Sequence, residues 1–92
     1  MIGFVECEYM IFHSHSLKEK RAVLQRTLTR LRQKFNVSAA EVDHQDSWQL
    51  TTVAMTSVSS SRQAAERELN HALSFLDSFP EWERVSTTFE WL

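Results

Sequence analysis

The sequence predicts a single α+β domain over residues 1–92, with element order βαββαβ. Three observations lead to this expectation: apolar alternation near both ends of the chain, two amphipathic stretches that each follow a serine, and a hairpin pattern between them. Of the 92 residues, 42% are hydrophobic and 11% aromatic, which suffices for one core. The predicted order corresponds to two helices on one face of a four-stranded antiparallel sheet, the ferredoxin-like arrangement.

The first strand is predicted over residues 1–12, where apolar residues alternate with polar ones at Val5, Cys7, Tyr9 and Ile11. A link with His13 and His15 follows. Ser16 then begins a helix, because residues 16–19 fit a capping box in which Ser and Glu satisfy free backbone amides. Asn36 is the expected end of this helix. Its apolar stripe consists of Leu17, Leu24, Leu28, Leu31 and Phe35.

The second half of the chain is predicted to form a hairpin, a second serine-capped helix and a last strand. Strands are predicted over residues 37–42 and 48–59, joined by a polar turn over 43–47. Residues 60–63 are typical of a second capping box, here formed by Ser60 and Gln63. The second helix ends before Pro80 and has its apolar residues at Ala65, Leu69, Ala72, Leu73 and Leu76. The last strand alternates at Val85, Thr87, Phe89 and Trp91.

Composition excludes several classes of protein. The single cysteine, Cys7, cannot form an internal disulfide framework and faces inward on the predicted strand, so we expect a buried, inert thiol. The single glycine, Gly3, excludes a glycine-rich phosphate loop. No apolar run approaches the roughly 18 residues of a membrane span, and the acidic start of the chain does not fit a signal peptide. We therefore expect a cytoplasmic, non-enzymatic protein with no catalytic residue, metal, cofactor or membrane partner.

Charge is distributed unevenly along the chain, although the formal net charge is only −2. Residues 17–34 carry seven basic side chains and one acidic one, whereas residues 35–92 carry three basic and nine acidic ones. Such asymmetry favours an anionic partner. The candidate anion- or RNA-binding residues are Lys18, Lys20, Arg21, Arg26, Arg30 and Lys34.

Within this basic helix, Arg26, Arg30 and Lys34 form an i, i+4, i+8 row opposite the leucine stripe. Lys20 and Arg21 flank the first turn, where the free amides and the helix dipole favour anions. RNA would supply phosphates to such a surface. The alternative is a solvated helix face whose charges pair with the acidic remainder of the chain.

Several segments resemble a known family. Residues 16–21 have the sequence SLKEKR and residues 40–46 the sequence AEVDHQD, and residues 35–37 (FNV) and Trp48 complete the pattern. Together they resemble the YlxP-like family of small bacterial proteins. The resemblance implies a ferredoxin-like fold and supplies no catalytic or binding residue. It also implies a role near the ribosome, since genes of the family often lie beside those for translation initiation and ribosome maturation factors. Ser47 departs from the larger apolar residue expected there.

The turn Asp43-His44-Gln45-Asp46, followed by Trp48, admits three interpretations. The predicted topology brings it to the same end of the sheet as His13, His15 and Trp82, and a cluster of histidines and carboxylates can bind a divalent metal. Its spacing matches no established metal motif, and Asp residues often close turns by accepting backbone amides. We expect turn closure by Asp43 or Asp46, with Trp48 packed at the start of the return strand; a partner contact and a metal site are the alternatives.

The sheet face away from the helices is a second candidate surface. It is predicted to carry Phe4, Glu6, Glu8, Met10, Phe12 and Glu90. Its carboxylates disfavour RNA there, whereas its apolar side chains favour protein contact, for example in a homodimer. The leading hypothesis is thus a ribosome- or RNA-associated accessory factor that uses its basic first helix. The alternative is a protein-interaction or homodimeric structural module that uses the open sheet face and the acidic loops.

Overall fold

A computed structural model describes all 92 residues and confirms the predicted element order. The elements are β1 (Ile2–Ile11), α1 (Leu17–Lys34), β2 (Ser38–Asp43), β3 (Leu50–Val58), α2 (Arg62–Asp77) and β4 (Trp82–Trp91). The strands form one antiparallel sheet in the order β2-β3-β1-β4. Because both helices pack on the same face of this sheet, the fold is the expected ferredoxin-like α+β arrangement.

The core lies between this sheet face and the helices. The alternating residues of β1 that were expected to face inward (Val5, Cys7, Tyr9 and Ile11) are all at most 2% exposed. They pack against the apolar stripes of α1 and α2, such as Leu28 and Leu69, in a cluster of 14 buried residues. Neither helix is both long enough and apolar enough to cross a membrane.

The two helices begin with serine caps, at the predicted residue in α1 and one residue later than predicted in α2. At α1 the Ser16 hydroxyl accepts from the Glu19 amide at 3.1 Å, and the Glu19 carboxylate accepts from the amide of His15 at 2.8 Å. At α2 the cap is Ser61, which accepts from Ala64 at 3.1 Å, so the predicted box starting at Ser60 was wrong by one residue. In a run of three serines, the pattern alone does not decide which hydroxyl meets the third amide of the helix.

Two strand boundaries also differ from the prediction. The return strand β3 begins at Leu50, and Trp48, expected to pack there, is 45% exposed. The last strand begins at Trp82, whose buried indole lies edge-on to the Tyr9 ring with centroids 5.2 Å apart. A register shift after Glu8 leaves Val85 without a partner on β1, so the predicted alternation holds for Thr87, Phe89 and Trp91 and is broken at Val85.

Gly3 allows α2 and the end of β4 to approach β1 closely. A Cβ atom at this inward-facing position would lie 2.9 Å from both the Leu69 side chain and the Trp91 ring. Such a distance is too short for carbon atoms in van der Waals contact. The one glycine of the chain is therefore explained by packing and not by a turn.

A hydrogen-bonded chain ties together β1, the end of α2 and β4. The buried Tyr9 hydroxyl donates to the Asp77 carboxylate at 2.6 Å, and the other oxygen of that carboxylate accepts from Arg84 at 2.9 Å. Burial, followed by the hydrogen bond to Asp77, raises the pKa of Tyr9 above its ordinary value. The folded protein therefore holds Tyr9 as a neutral phenol.

We expect Tyr9→Phe to lower the free energy of unfolding by about 1.5–3 kcal/mol, since a hydrogen bond to a charged acceptor is lost. Urea unfolding at neutral pH measures this. Because folding raises the pKa of Tyr9, the contribution of the hydroxyl is fully present at neutral pH and declines as the pH rises above about 10. The difference in free energy of unfolding between the wild type and Tyr9→Phe should therefore become smaller at high pH. The control Trp48→Phe changes an exposed ring, and an equal loss in both variants would contradict the expectation.

Candidate functional site

The outward face of α1 carries a row of exposed basic side chains. Lys18, Arg21, Arg26, Arg30 and Lys34 are all exposed, while Leu24, Leu28 and Leu31 on the opposite side are at most 5% exposed. We call these five basic residues the α1 basic face. The helical period separates them from the core.

The acidic remainder of the chain does not neutralise the α1 basic face. The structure has two ion pairs within 4 Å, Lys20–Glu41 and Arg84–Asp77, and two histidine–carboxylate contacts, His44–Glu8 and His71–Glu68. None of them involves a residue of the α1 basic face. The alternative in which these cations pair within the chain therefore has no support in the geometry.

Lys20 was predicted to bind anions, and this prediction was wrong. Its side chain is 0% exposed; the ammonium donates to the His44 carbonyl at 2.6 Å and pairs with the Glu41 carboxylate at 2.8 Å. The same carboxylate oxygen accepts from the Thr51 hydroxyl at 2.7 Å. The sequence carried a signal for this, because Lys20 precedes Leu24 by four residues and thus lies on the buried stripe.

The β2–β3 turn is closed by side chains that differ in part from those expected. Asp43 accepts from the His44 amide at 2.7 Å, and His44 takes a left-handed conformation with φ of 63°. Asp46 and Gln45 make no side-chain hydrogen bond, so Asp46 does not close the turn. The hydroxyl of Ser47 accepts instead from the amides of residues 49 and 50, at 3.3 and 3.1 Å.

The histidines at this end of the sheet do not converge on a metal site. No group of three His, Cys, Asp or Glu side chains is arranged to hold an ion. The imidazole of His44 lies 3.3 Å from the Glu8 carboxylate, and His13 and His15 line a cavity beside α1. Cys7 is buried, and this burial raises the pKa of its thiol to about 12, so it is not a nucleophile at neutral pH.

A groove runs beside the α1 basic face and was missed by the sequence prediction. Its first part, of about 410 Å³, lies between the β1–α1 link, the first turns of α1 and Glu81. Its second part, of about 250 Å³, extends along α1 to Arg30, Phe79 and Trp82. Val23, Arg26 and Glu81 line both parts. We call this continuous feature the α1 groove.

Phe12 belongs to this groove and not to the open sheet face where it was expected. The strand β1 ends at Ile11, and the following His13 has a left-handed φ of 65°, so the alternation of β1 does not continue. The Phe12 amide donates to the Glu81 carbonyl at 2.7 Å, and its side chain is 40% exposed. Whether Phe12 lies on the open sheet face or in the groove depends on where β1 ends, and the apolar alternation does not show that end.

Aromatic rings lie beneath the far end of the α1 basic face. The Arg30 guanidinium lies 5.8 Å from the Phe75 ring centroid and 5.9 Å from that of Phe79, and the Lys34 ammonium lies 5.3 Å from Phe75. Cation–π contacts of this kind orient a cation without using its hydrogen-bond donors. Both side chains thus keep their donors available for an external anion.

Residues 2–89 match the family described as "Protein of unknown function (DUF503)". The chain belongs to this family. It is similar to "Uncharacterized protein YlxP" of Bacillus subtilis (strain 168), with 57% identity over 91 residues that cover 99% of each chain. The resemblance to the YlxP-like family is therefore confirmed. These descriptions name no activity, so a function has to be argued from the geometry.

In this member of the family, the two segments that carried the resemblance meet in space. SLKEKR supplies Lys20, and AEVDHQD supplies Glu41 and His44, the two residues that Lys20 contacts. The contact joins the first turn of α1 to β2 and to the β2–β3 turn. This geometry gives both segments a structural role.

We expect Lys20→Met to lower the free energy of unfolding by about 3 kcal/mol, at the lower end for broken buried ion pairs because Glu41 remains 16% exposed. The exposed neighbour offers a matched control, and Lys18→Met should change stability by less than about 0.5 kcal/mol. Adding Glu41→Gln to Lys20→Met should recover part of the loss. Urea unfolding measures all three variants, and equal stabilities of the two single variants would contradict the structural role.

Proposed function

We propose that this protein is a non-enzymatic accessory factor of the cytoplasm that associates with RNA, and in particular with ribosomal RNA, through the α1 basic face. The observation that carries the proposal is the row of Arg26, Arg30 and Lys34, which is exposed and has no ion-pair partner within 4 Å although the chain has twelve acidic residues. Cations left unpaired on one face of a nearly neutral protein favour an anionic ligand.

The geometry of the row supports phosphate as that anion. Successive members of an i, i+4 row are separated by about 6 Å along the helix axis, so each cation can meet a different phosphate group. Arginine binds phosphate through two parallel hydrogen bonds, which favours Arg26 and Arg30 as the main contacts. Binding that neutralises several phosphates also releases counterions and therefore weakens steeply as salt rises.

The open sheet face would not compete for RNA. By register, Glu6 pairs with Thr88 and Glu8 with Ser86, and Phe4 and Met10 lie opposite Glu90 and Glu83 of β4. Residues directly opposite one another in a sheet share a face, so four carboxylates line one half of the open face. They repel phosphate and favour an RNA orientation in which α1 faces the ligand.

We expect Arg26→Glu combined with Arg30→Glu to weaken association with ribosomal particles by roughly tenfold or more at low salt, because two phosphate contacts become repulsive. Co-sedimentation of the purified protein with ribosomal subunits measures this. Arg62→Glu combined with Arg67→Glu is the matched control, since it changes the net charge equally on α2. Circular dichroism verifies the fold of each variant.

Two outcomes of that experiment would contradict the proposal. One is association that survives the Arg26 and Arg30 reversal at the wild-type level. The other is association that does not change between low and high salt, since a phosphate-binding surface requires a salt dependence.

A second candidate function is self-association through the open sheet face. Over β2 and β3 this face carries mainly small, hydroxyl or apolar side chains, among them Ala40, Ala54 and Thr56, with Asp43 opposite Thr52 at one end. Val42 and Val58 are 46% and 61% exposed. Such a largely uncharged surface can pack against a second sheet at about 10 Å. A two-fold arrangement would place this half of one copy over the equivalent half of another.

If the protein dimerises in this way, Ala54→Glu should weaken the dimer by about 100-fold or more, because Ala54 lies opposite Ala40 in this half and the variant buries an unpaired charge at the interface. Sedimentation equilibrium over a concentration series measures the dissociation constant. Phe89→Glu is a control, since Phe89 is 42% exposed and pairs with the inward-facing Val5 on the helix side of the sheet. A wild-type protein that stays monomeric at high micromolar concentration would exclude self-association.

A further inference from the structure

The α1 groove has the dimensions of a site for a small ligand. Its first part encloses about 410 Å³, and ligand sites in proteins typically span about 300–1,000 Å³. The small side chain of Ala22 and the partly buried Val23 form its wall on α1. The groove therefore has the volume to hold one planar ring system beside the helix.

The arginines of the groove have no ion-pair partner within the protein. Arg26 lines both parts of the groove, and Arg30 lines the second part. Neither guanidinium forms an ion pair within 4 Å, and Arg30 is held over the rings of Phe75 and Phe79. An anionic group that follows the groove would thus meet two guanidinium groups in succession, of which that of Arg30 is oriented by the rings.

Phe12 supplies an exposed aromatic ring at a fixed position in the opposite wall. Its amide donates to the Glu81 carbonyl at 2.7 Å, and the neighbouring Ile11 amide donates to the Gln49 carbonyl at 2.7 Å, so the backbone is held by the residues that precede β4 and β3. Phe12 nevertheless remains 40% exposed. Single-stranded nucleic acids bind where bases stack on such rings beside a basic track.

The groove also carries two carboxylates, whose positions bear on the identity of the ligand. Glu19 already accepts from the amide of His15, and Glu81 lies in the link before β4. Both repel phosphate, and both can accept hydrogen bonds from the amino groups of a base. A ligand that places a base near these carboxylates and its phosphates near Arg26 and Arg30 can bind both the acidic and the basic side chains of the groove.

From these observations we infer that the α1 groove binds one unpaired nucleotide of a single-stranded RNA segment, with the base against Phe12 and the flanking phosphates on Arg26 and Arg30. The inference rests on the proposed RNA-binding function and specifies its ligand. A duplex keeps its bases stacked within the helix and presents mainly backbone, so it can meet the α1 basic face without entering the groove.

Fluorescence anisotropy with two probes tests this inference. One probe is a labelled ten-nucleotide RNA of mixed sequence, and the other is the same strand annealed to its complement. We expect the wild type to bind the single strand about tenfold more tightly or better, as the loss of one stacked base costs roughly 5- to 150-fold. Phe12→Ala should remove this preference and leave duplex binding unchanged, whereas Phe12→Trp should retain it.

A groove-filling variant gives an independent measurement that does not alter the aromatic ring. Ala22→Leu places a larger side chain at an exposed helical position in the groove wall, where leucine is well tolerated. It should reduce single-strand binding about as much as Phe12→Ala. Gln33→Leu, also exposed on α1 but outside the groove, is the matched control and should bind like the wild type.

The outcomes separate this inference from the function on which it rests. Equal affinity for both probes that is lost on Arg26 and Arg30 reversal would overturn the groove assignment and leave RNA binding by α1 in place. Absence of binding to either probe at low salt would overturn both. Displacement of the single strand by equimolar polyglutamate, with equal sensitivity to Ala22→Leu, would overturn the inference in favour of an acidic protein ligand.

Discussion

The buried ion pair of Lys20 is the contact on which the position of α1 depends. An ammonium group with no solvent exposure needs acceptors for its donors, and here Glu41 and the His44 carbonyl supply them from β2 and the β2–β3 turn. Three separate parts of the chain must therefore be correctly placed before the charge can be buried. Apolar packing alone tolerates small shifts of a helix, whereas this pair at 2.8 Å does not.

The orientation of the α1 basic face follows from this contact. Lys20 fixes which side of α1 faces the sheet, and Leu24, Leu28 and Leu31 continue that side along the helix. The residues between them then point outward, which places Arg26 beside the groove and Arg30 over the aromatic rings. The buried charge of Lys20 on one side of α1 thus helps to position the exposed charges of Arg26 and Arg30 on the other side.

Periodicity predicted the fold well because it reports on burial. The alternation of β1 and the stripe of α1 each place one face against the core, and these faces combine in few ways. The misplaced residues depend on partners far away in the chain. Lys20 was expected to be exposed because it is charged. The partner that allows its burial, Glu41, is 21 residues away in the chain and is not indicated by the local pattern. Similarly, the contact that fixes Phe12 comes from Glu81, and the choice of Ser47 over Asp46 depends on the exact path of the turn.

A net charge of −2 does not disfavour RNA binding in a protein of this shape. At physiological ionic strength, the Debye length is about 8 Å, whereas the molecule measures 42 × 22 × 18 Å. A phosphate beside Arg26, Arg30 and Lys34 is therefore screened from the carboxylates of the open sheet face, whereas Glu19 and Glu81 of the groove lie on the same side as these cations. The potential of each face acts separately, so the helix side attracts an anion while the sheet side repels one. This polarity makes the binding orientation depend on the distribution of charge and not on its sum.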